Sequence, residues 1–391
     1  MSTPDTISKA FSKWRIYAAL LLGLGISGWL FYRSMSQVEF EEVKPGSGTH
    51  SWVDTNKNGR IDWNLTTEFH PQQHGNYRQQ SAWQVIADIE WSTHTFFWIF
   101  MALLAMVGRD FAYMWRIRIL TRNELSWRRS FSVIMLWEFA SALAPGVLSG
   151  ATVAMFILNR EKIALGRSTA IVIITAFFDN LFYVLLIPLV FLVVSSDDLF
   201  PSTVDSTGAV ITLFWTGFSV FAVLCLVLYL SLFQFPFLLR GMLGTVTNLP
   251  FLRRWKPNAL QVGNDVAQTA VTLKNEPFSF WAKTFLATCS SWISRYLVIN
   301  CILQAFISLG LMQHVQVLAK QLVLWMFLRI SPTPGGSGAA EWAFSELLSD
   351  LTSSAILLAG MAVLWRMISY FPYLLIGSII LPRWLKRESD V

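Results

Sequence analysis

The 391-residue chain is 54% apolar and only 14% charged, with a mean hydropathy of +0.48. A soluble globular protein of this size needs far more polar surface, so the main body of the chain belongs in a bilayer. The net charge of +6 comes from 30 basic and 24 acidic residues, and their placement along the chain sets its orientation.

Lys9, Lys13 and Arg15 precede an apolar run from Ile16 to Tyr32. The run leaves through Trp29, Phe31, Tyr32 and Arg33 with no small-residue cleavage site. Residues 1–33 therefore read as a cytoplasmic tail and a retained signal-anchor helix. The acidic segment 34–92 reads as an external loop. Within it, Asp54, Asn56, Asn58, Gly59 and Asp62 follow the spacing that opens a calcium loop, although Leu65 stands where a bidentate Glu would close it. Two readings stay open there, a calcium site made by Asp54, Asn56, Asn58 and Asp62, or a plain Asn/Asp/Gly turn. His70 and His74 flank Pro71 and read as a solvated loop rather than a helical zinc pair. Apart from calcium, no cofactor is expected.

Spans are predicted near 16–32, 93–108, 168–194, 209–233, 278–309 and 353–381. The stretches 131–158 and 321–345 are as apolar but are broken by Pro145-Gly146 and by the run from Pro332 to Gly338. Proline removes a backbone donor and clashes with the preceding turn, so neither stretch continues as one helix. Arms of roughly 14 residues reach about 21 Å and fall short of a bilayer. Both stretches are therefore expected to be re-entrant hairpins.

Charge supports that reading. The segments 1–15, 109–130, 159–167, 234–277 and 382–391 hold 20 of the 30 basic residues, and all are cytoplasmic only if both broken stretches re-enter. The predicted fold is all-α and polytopic, with six transmembrane helices and two re-entrant hairpins of opposite orientation. The membrane domain is 93–381, followed by a cytoplasmic tail, 382–391. At an offset of 188, Leu136, Trp137, Phe139, Ser149, Gly150, Ala151 and Phe156 match Leu324, Trp325, Phe327, Ser337, Gly338, Ala339 and Phe344. That suggests an inverted repeat of the kind that frames transporter sites at the bilayer midplane; coincidence between two glycine-containing apolar segments is the other reading. Cys225, Cys289 and Cys301 all lie in apolar stretches and suggest neither a disulfide framework nor a zinc site.

Ala144-Pro145-Gly146, the following Arg160-Glu161-Lys162 and Arg167, and above all the run Pro334-Gly335-Gly336-Ser337-Gly338-Ala339-Ala340-Glu341 carry a family resemblance. The chain resembles the lysylphosphatidylglycerol synthase transmembrane-region family, flippase-like integral membrane proteins of bacteria and archaea, over about residues 95–381. The resemblance implies a region that flips aminoacylated phosphatidylglycerol, made in two-domain members by a separate cytosolic domain. Here Val391 lies ten residues past the last predicted span, so the expectation is a flippase region without the aminoacyltransferase.

Asp179, Arg295 and Arg366 fall near the centres of predicted spans, where a charge costs several kcal/mol unless it is paired or solvated. Glu138, Arg329 and Glu341 reach similar depth if the hairpins meet. These six are the candidate headgroup-binding residues, with Arg329 and Arg295 on a phosphate and Glu138 or Glu341 facing a cationic group. Pro145, Gly146, Gly150, Pro334, Gly335, Gly336 and Gly338 shape the hairpin backbones, whose freed N–H groups after Gly146 and Gly338 would assist. The bland readings are a helix-fastening Asp–Arg pair and, for Glu341, a helix cap. Arg116, Arg118 and Arg122, interleaved with Trp115 and Trp127, read as a helix on an anionic cytoplasmic surface, or as an ordinary positive flank.

No nucleotide-binding P-loop and no nucleophile–base pair accompany these residues, so no enzyme activity is expected. The expected function is a lipid transporter, flippase or scramblase, of the bacterial cytoplasmic (inner) membrane, with both termini cytoplasmic. Its cargo would be an anionic or aminoacylated phospholipid or a polyprenyl-phosphate lipid. The alternatives are a membrane-embedded enzyme using Glu341 and Asp179 on a lipid phosphate, or a non-transporting envelope-complex subunit. Expected partners are membrane lipids, a lipid-modifying enzyme or further copies of the chain, and no nucleic acid.

Overall fold

The computed structural model describes residues 21–386 except 22–24, 26–27, 30, 37, 56, 58, 60, 62, 64–65, 144–146, 196–198, 200–206, 236, 251, 274–275 and 331–332. Among the described residues, five helical segments are long and apolar enough to cross a bilayer: Thr93–Leu120, Leu165–Phe191, Ile211–Gln234, Phe278–Phe306 and Ala355–Lys386. They match five of the six expected spans; most of 16–32 lies outside the described residues.

The helices that matter are α1 (Ala82–Ala87), α2 (Thr93–Leu120), α3 (Trp127–Leu143), α4 (Val147–Arg160), α5 (Leu165–Phe191), α6 (Thr207–Tyr229), α7 (Leu238–Val246), α8 (Lys256–Leu273), α9 (Phe278–Phe306), α10 (Leu311–Ile330), α11 (Ala339–Leu347), α12 (Ala355–Ser369) and α13 (Phe371–Lys386). α2 and α9 pack on each other along their lengths; α9 is deeply buried, while the other side of α2 exposes Phe97, Phe100, Leu104 and Phe111. Both bury small residues, Ala102 and Ala112 on one and Ala287, Thr288 and Ser291 on the other, which lets backbones approach where lipid offers no hydrophobic drive. α5 is also deeply buried, whereas α6 exposes Leu213, Val220, Val223 and Leu226 and forms the rim.

Both interrupted stretches are helix–break–helix units. α3 and α4 pack against each other, and Gly150 lies so close to Ser141 that a Cβ on it would overlap the serine side chain. Only a chain that folds back brings residues nine apart in sequence to that distance. Their 17 and 14 residues span about 26 and 21 Å. Pro145 and Gly146, the expected breakers, lie outside the described residues.

The second unit departs from the expectation of equal arms. α10 begins at Leu311, ten residues before the predicted start, and has 20 residues against nine for α11. The polar Lys320 and Gln321 obscured its first half in the hydropathy pattern. Inside the structure Lys320 pairs with Asp350 at 2.5 Å and Gln321 donates to Asn300. Between the arms, the 3-10 turn Pro334–Gly336 and the residues after it hold Gly335, Gly336 and Gly338 at φ +58°, +68° and +86°. A side chain with a Cβ adopts such angles only at a cost, so the turn requires glycine. The predicted span 353–381 is likewise divided, at Tyr370 just before Phe371-Pro372. Pro372 fits the first turn of α13 but could not continue α12 without losing a hydrogen bond.

The segment 34–92 is more than a loop, which corrects the sequence reading. It holds a four-stranded antiparallel sheet in the order β1-β4-β2-β3, made of β1 (Glu39–Glu42), β2 (Gly48–Trp52), β3 (Phe69–Gly75) and β4 (Tyr77–Gln80). Its strands are short and mostly polar, so no apolar alternation announced them. A small aromatic core holds them, with Phe40 stacked on Phe69 at 4.1 Å and Tyr77 edge-on to Phe69. His70 and His74 accordingly sit on β3.

Glu39 of β1 is 4% exposed and docks the sheet on the membrane domain. Its carboxylate accepts from Ser354 Oγ and from the Ile356 backbone N–H, both at 2.7 Å, and so caps the N-terminus of α12. Burial pushes the Glu39 carboxyl up from its ordinary value, with these hydrogen bonds opposing the shift. The docked state therefore keeps its proton to higher pH than the undocked one. Its contribution is complete below about pH 4, the ordinary carboxyl range, and is lost as pH rises through the docked value. Hydrogen exchange of β1, corrected for intrinsic rates, is expected to quicken from pH 4 toward neutrality, and Glu39→Gln is expected to flatten that dependence.

Candidate functional site

A charge in hydrocarbon survives only with a partner or water, and the interior shows where each partner lies. Arg109 on α2 is fully buried. Its guanidinium lies 2.8 Å from Glu138 of α3 and 3.0 Å from Asp110. It also donates to the Tyr373 hydroxyl of α13, which itself donates to Asp110 at 2.6 Å. Two helical turns along α2, Arg116 pairs with Asp179 of α5 at 2.6 Å and donates to Thr288 of α9. Trp292 completes that carboxylate with an indole N–H at 3.0 Å.

The third group lies at the glycine turn. Arg366 of α12 reaches Glu341 at 3.2 Å and donates to the Gly335 carbonyl and to Ser337 Oγ. Glu341 is 3% exposed and accepts the Gly338 backbone N–H at 2.7 Å. The same turn packs on α3, and Tyr370 donates to the Ala142 carbonyl. The two interrupted units thus meet at their breaks.

Arg295 and Arg329 differ from these. Both are half-buried, and among the described residues neither has a carboxylate within ion-pair distance. Arg329 donates to Asn180 Oδ1 at 2.7 Å and lies over Tyr183 and Phe221. Arg295 lies 4.6 Å from the Trp325 ring centre and 5.4 Å from that of Trp292. Trp325 contacts both Trp292 and Tyr183, so the two guanidinium groups share one aromatic cage. The buried Trp325 indole N–H has no hydrogen-bond partner. A narrow apolar crevice of about 10 Å³, lined by Tyr183, Ile187, Phe218, Phe221, Trp325 and Arg329, adjoins them.

The six candidates therefore separate. Arg295 and Arg329 come together, while Asp179, Glu138 and Glu341 are each held by a different arginine. Glu138 is still near enough to Arg295 for their charges to interact. The Gly338 amide, expected to assist a phosphate, is already taken by Glu341; Gly146 lies outside the described residues. Pro334, Gly335, Gly336 and Gly338 shape the second turn and Gly150 the first packing contact.

The surface helix expected at 109–130 is corrected. α2 runs on to Leu120, and Arg116 is buried in the interior rather than laid on a leaflet. Arg118 donates to the Leu125 carbonyl and lies over Trp127. Arg122 is exposed and pairs with Glu276. Sequence reasoning missed Arg109, Asp110 and Tyr373; the seven-residue spacing of Arg109 and Arg116 was the available signal, since it puts both on one helix face. At the calcium-like turn, the Asp54 carboxylate accepts the Gly59 N–H at 2.8 Å, as in a plain turn. Asn56, Asn58 and Asp62 lie outside the described residues.

No solved structure matches the chain significantly. A protein of Archaeoglobus fulgidus described as a UPF0104 membrane protein is 24% identical over 302 residues, covering 72% of this chain and 85% of that relative. Residues 79–377 match the family described as lysylphosphatidylglycerol synthase TM region. This multi-pass, mainly helical membrane protein belongs to that family.

Proposed function

We propose that the chain is a lipid transporter, a flippase or scramblase, that holds the phosphate of an anionic phospholipid between Arg295 and Arg329. The observation that carries the reading is the pair of embedded arginines with no carboxylate partner among the described residues, sharing a cage with an indole N–H that likewise has no hydrogen-bond partner there. Guanidinium groups suit phosphate because they donate in a fixed fork. The neighbouring crevice is apolar but narrow, so a lipid would enter only as the helices around it part. Among the described core residues, Arg109, Arg116 and Arg366 have carboxylate partners in Glu138, Asp110, Asp179 and Glu341, while Arg295 and Arg329 have none, which leaves room for an anion. The two interrupted units, meeting at their breaks, would enter the membrane from opposite faces and alternate access to the site.

The enzymatic alternative finds less support. Asp179 and Glu341, its acid and base, are occupied by Arg116 and Arg366.

The test is reconstitution in liposomes with fluorescent phosphatidylglycerol, aminoacyl-phosphatidylglycerol, polyprenyl phosphate and phosphatidylcholine, scored by dithionite accessibility. Arg329→Ala and Arg295→Ala are each expected to slow movement of the preferred anionic lipid by roughly tenfold or more, the loss of a charge-assisted hydrogen bond, without lowering the melting temperature. Wild-type protein that moves none of these lipids, or that converts them covalently without moving them, would overturn the proposal.

A further inference from the structure

The stretch beyond α6 combines basic residues with exposed apolar ones. Between Asp205 and Asp265 there is no acidic residue, while Arg240, Arg253, Arg254 and Lys256 all fall there. α6 ends in a π-turn, Leu230–Gln234, and α7 follows without a single buried residue. Met242 and Val246, four apart on α7, are exposed on one helical side, and Leu249 just past the helix is exposed as well. Phe235 and Phe237 before this stripe, and Trp255 after it, are exposed as well.

This is not a loosely tethered loop. α7 packs on α8, and Gly263 of α8 lies so close to the Arg240 backbone that a Cβ there would overlap it. α8 in turn packs on α5 and the π-turn. The inner side of α7 is therefore fixed to the protein, and its outer side carries large apolar side chains with nothing on them. Arg253 and Arg254 are exposed beyond the end of α7, and Arg240, whose Cβ faces Gly263 of α8, is exposed as well. The Arg254 guanidinium stacks on the Trp255 ring at 4.3 Å, and Lys256 donates to Asn248.

We propose that residues 235–256 form a platform that lies in the headgroup layer of one leaflet and binds its anionic lipids. The rings and aliphatic side chains enter the acyl boundary, and the arginines meet phosphates at the level above. The absence of carboxylates removes any repulsion of anionic headgroups, and each basic residue near such a surface adds to the attraction. Charge selects this occupant over a second copy of the chain, because two copies of the same basic patch would face like charge across a symmetric interface. The platform is independent of whether the arginine cage transports lipid.

Spin labels at Met242→Cys and Val246→Cys, in nanodiscs of phosphatidylcholine alone or with phosphatidylglycerol, give the depth of this face. The labels are expected to be shielded from a water-soluble nickel chelate and open to oxygen in the discs containing phosphatidylglycerol. Native mass spectrometry is expected to show phosphatidylglycerol retained by wild-type protein, falling by at least about tenfold in R240Q/R253Q/R254Q. Labels equally open to nickel in both lipids would overturn the proposal. So would shielding accompanied by dipolar broadening between labels, the signature of a second copy on this face. If the triple variant fails to fold, the wild-type comparison between the two lipids still decides.

Discussion

Arg109→Ala is expected to be the most damaging single substitution in the membrane domain. The guanidinium is fully buried and touches Glu138, Asp110 and Tyr373, so its loss strands two carboxylates in a low-dielectric interior. Breaking a buried pair from one side costs about 3–5 kcal/mol. Thermal denaturation in detergent should show a large drop in midpoint, with poor monodispersity on size exclusion. Arg109→Lys should rescue little, because one ammonium cannot serve three partners in the planar geometry that a guanidinium provides. Arg109→Met combined with Glu138→Gln should recover part of the loss, since it removes charge from both sides. Equal melting of the wild type and Arg109→Ala would show that the group is hydrated rather than load-sharing.

Arg366→Ala is expected to come second, with a different signature. Arg366 grips the glycine turn at the Gly335 carbonyl, Ser337 Oγ and Glu341. Its removal leaves the buried Glu341 carboxyl without its arginine, beside a backbone already committed to left-handed angles. Arg366→Ala should therefore lose both stability and lipid movement, whereas Arg329→Ala should lose movement alone. A double-mutant cycle of Arg366→Ala and Glu341→Gln on melting free energy should give a coupling of about 1–3 kcal/mol. Additive losses in that cycle would separate the two residues.

The five apolar spans and both backbone breaks were readable because each rests on a local cause, a continuous apolar run or a proline and glycine cluster. Which charges pair was not. Asp179 could be nominated as a buried carboxylate, but its partner Arg116 sits 63 residues away on α2 and had been assigned to a surface. Hydropathy ends a span at its first arginines, at Arg109 and Asp110 here, while the helix itself continues eleven residues to Leu120 because carboxylates on other helices neutralise its interior charge. The sheet was invisible for the complementary reason. Its strands are polar, and its hydrophobic core is three aromatic residues drawn from distant points of the segment. Arg295 and Arg329 were nominated for their depth alone. Their shared aromatic cage depends on Trp292, Trp325 and Tyr183 from three helices, which no local pattern joins.

One consequence of the Glu39 cap concerns force. α12 is held at its N-terminal end by a residue of the sheet, at Ser354 and Ile356, and its other end carries the side chain that clasps the glycine turn. Ten residues of helix separate the two grips, a stiff strut of about 15 Å. A pull on the sheet would accordingly act along that strut on the glycine turn between α10 and α11.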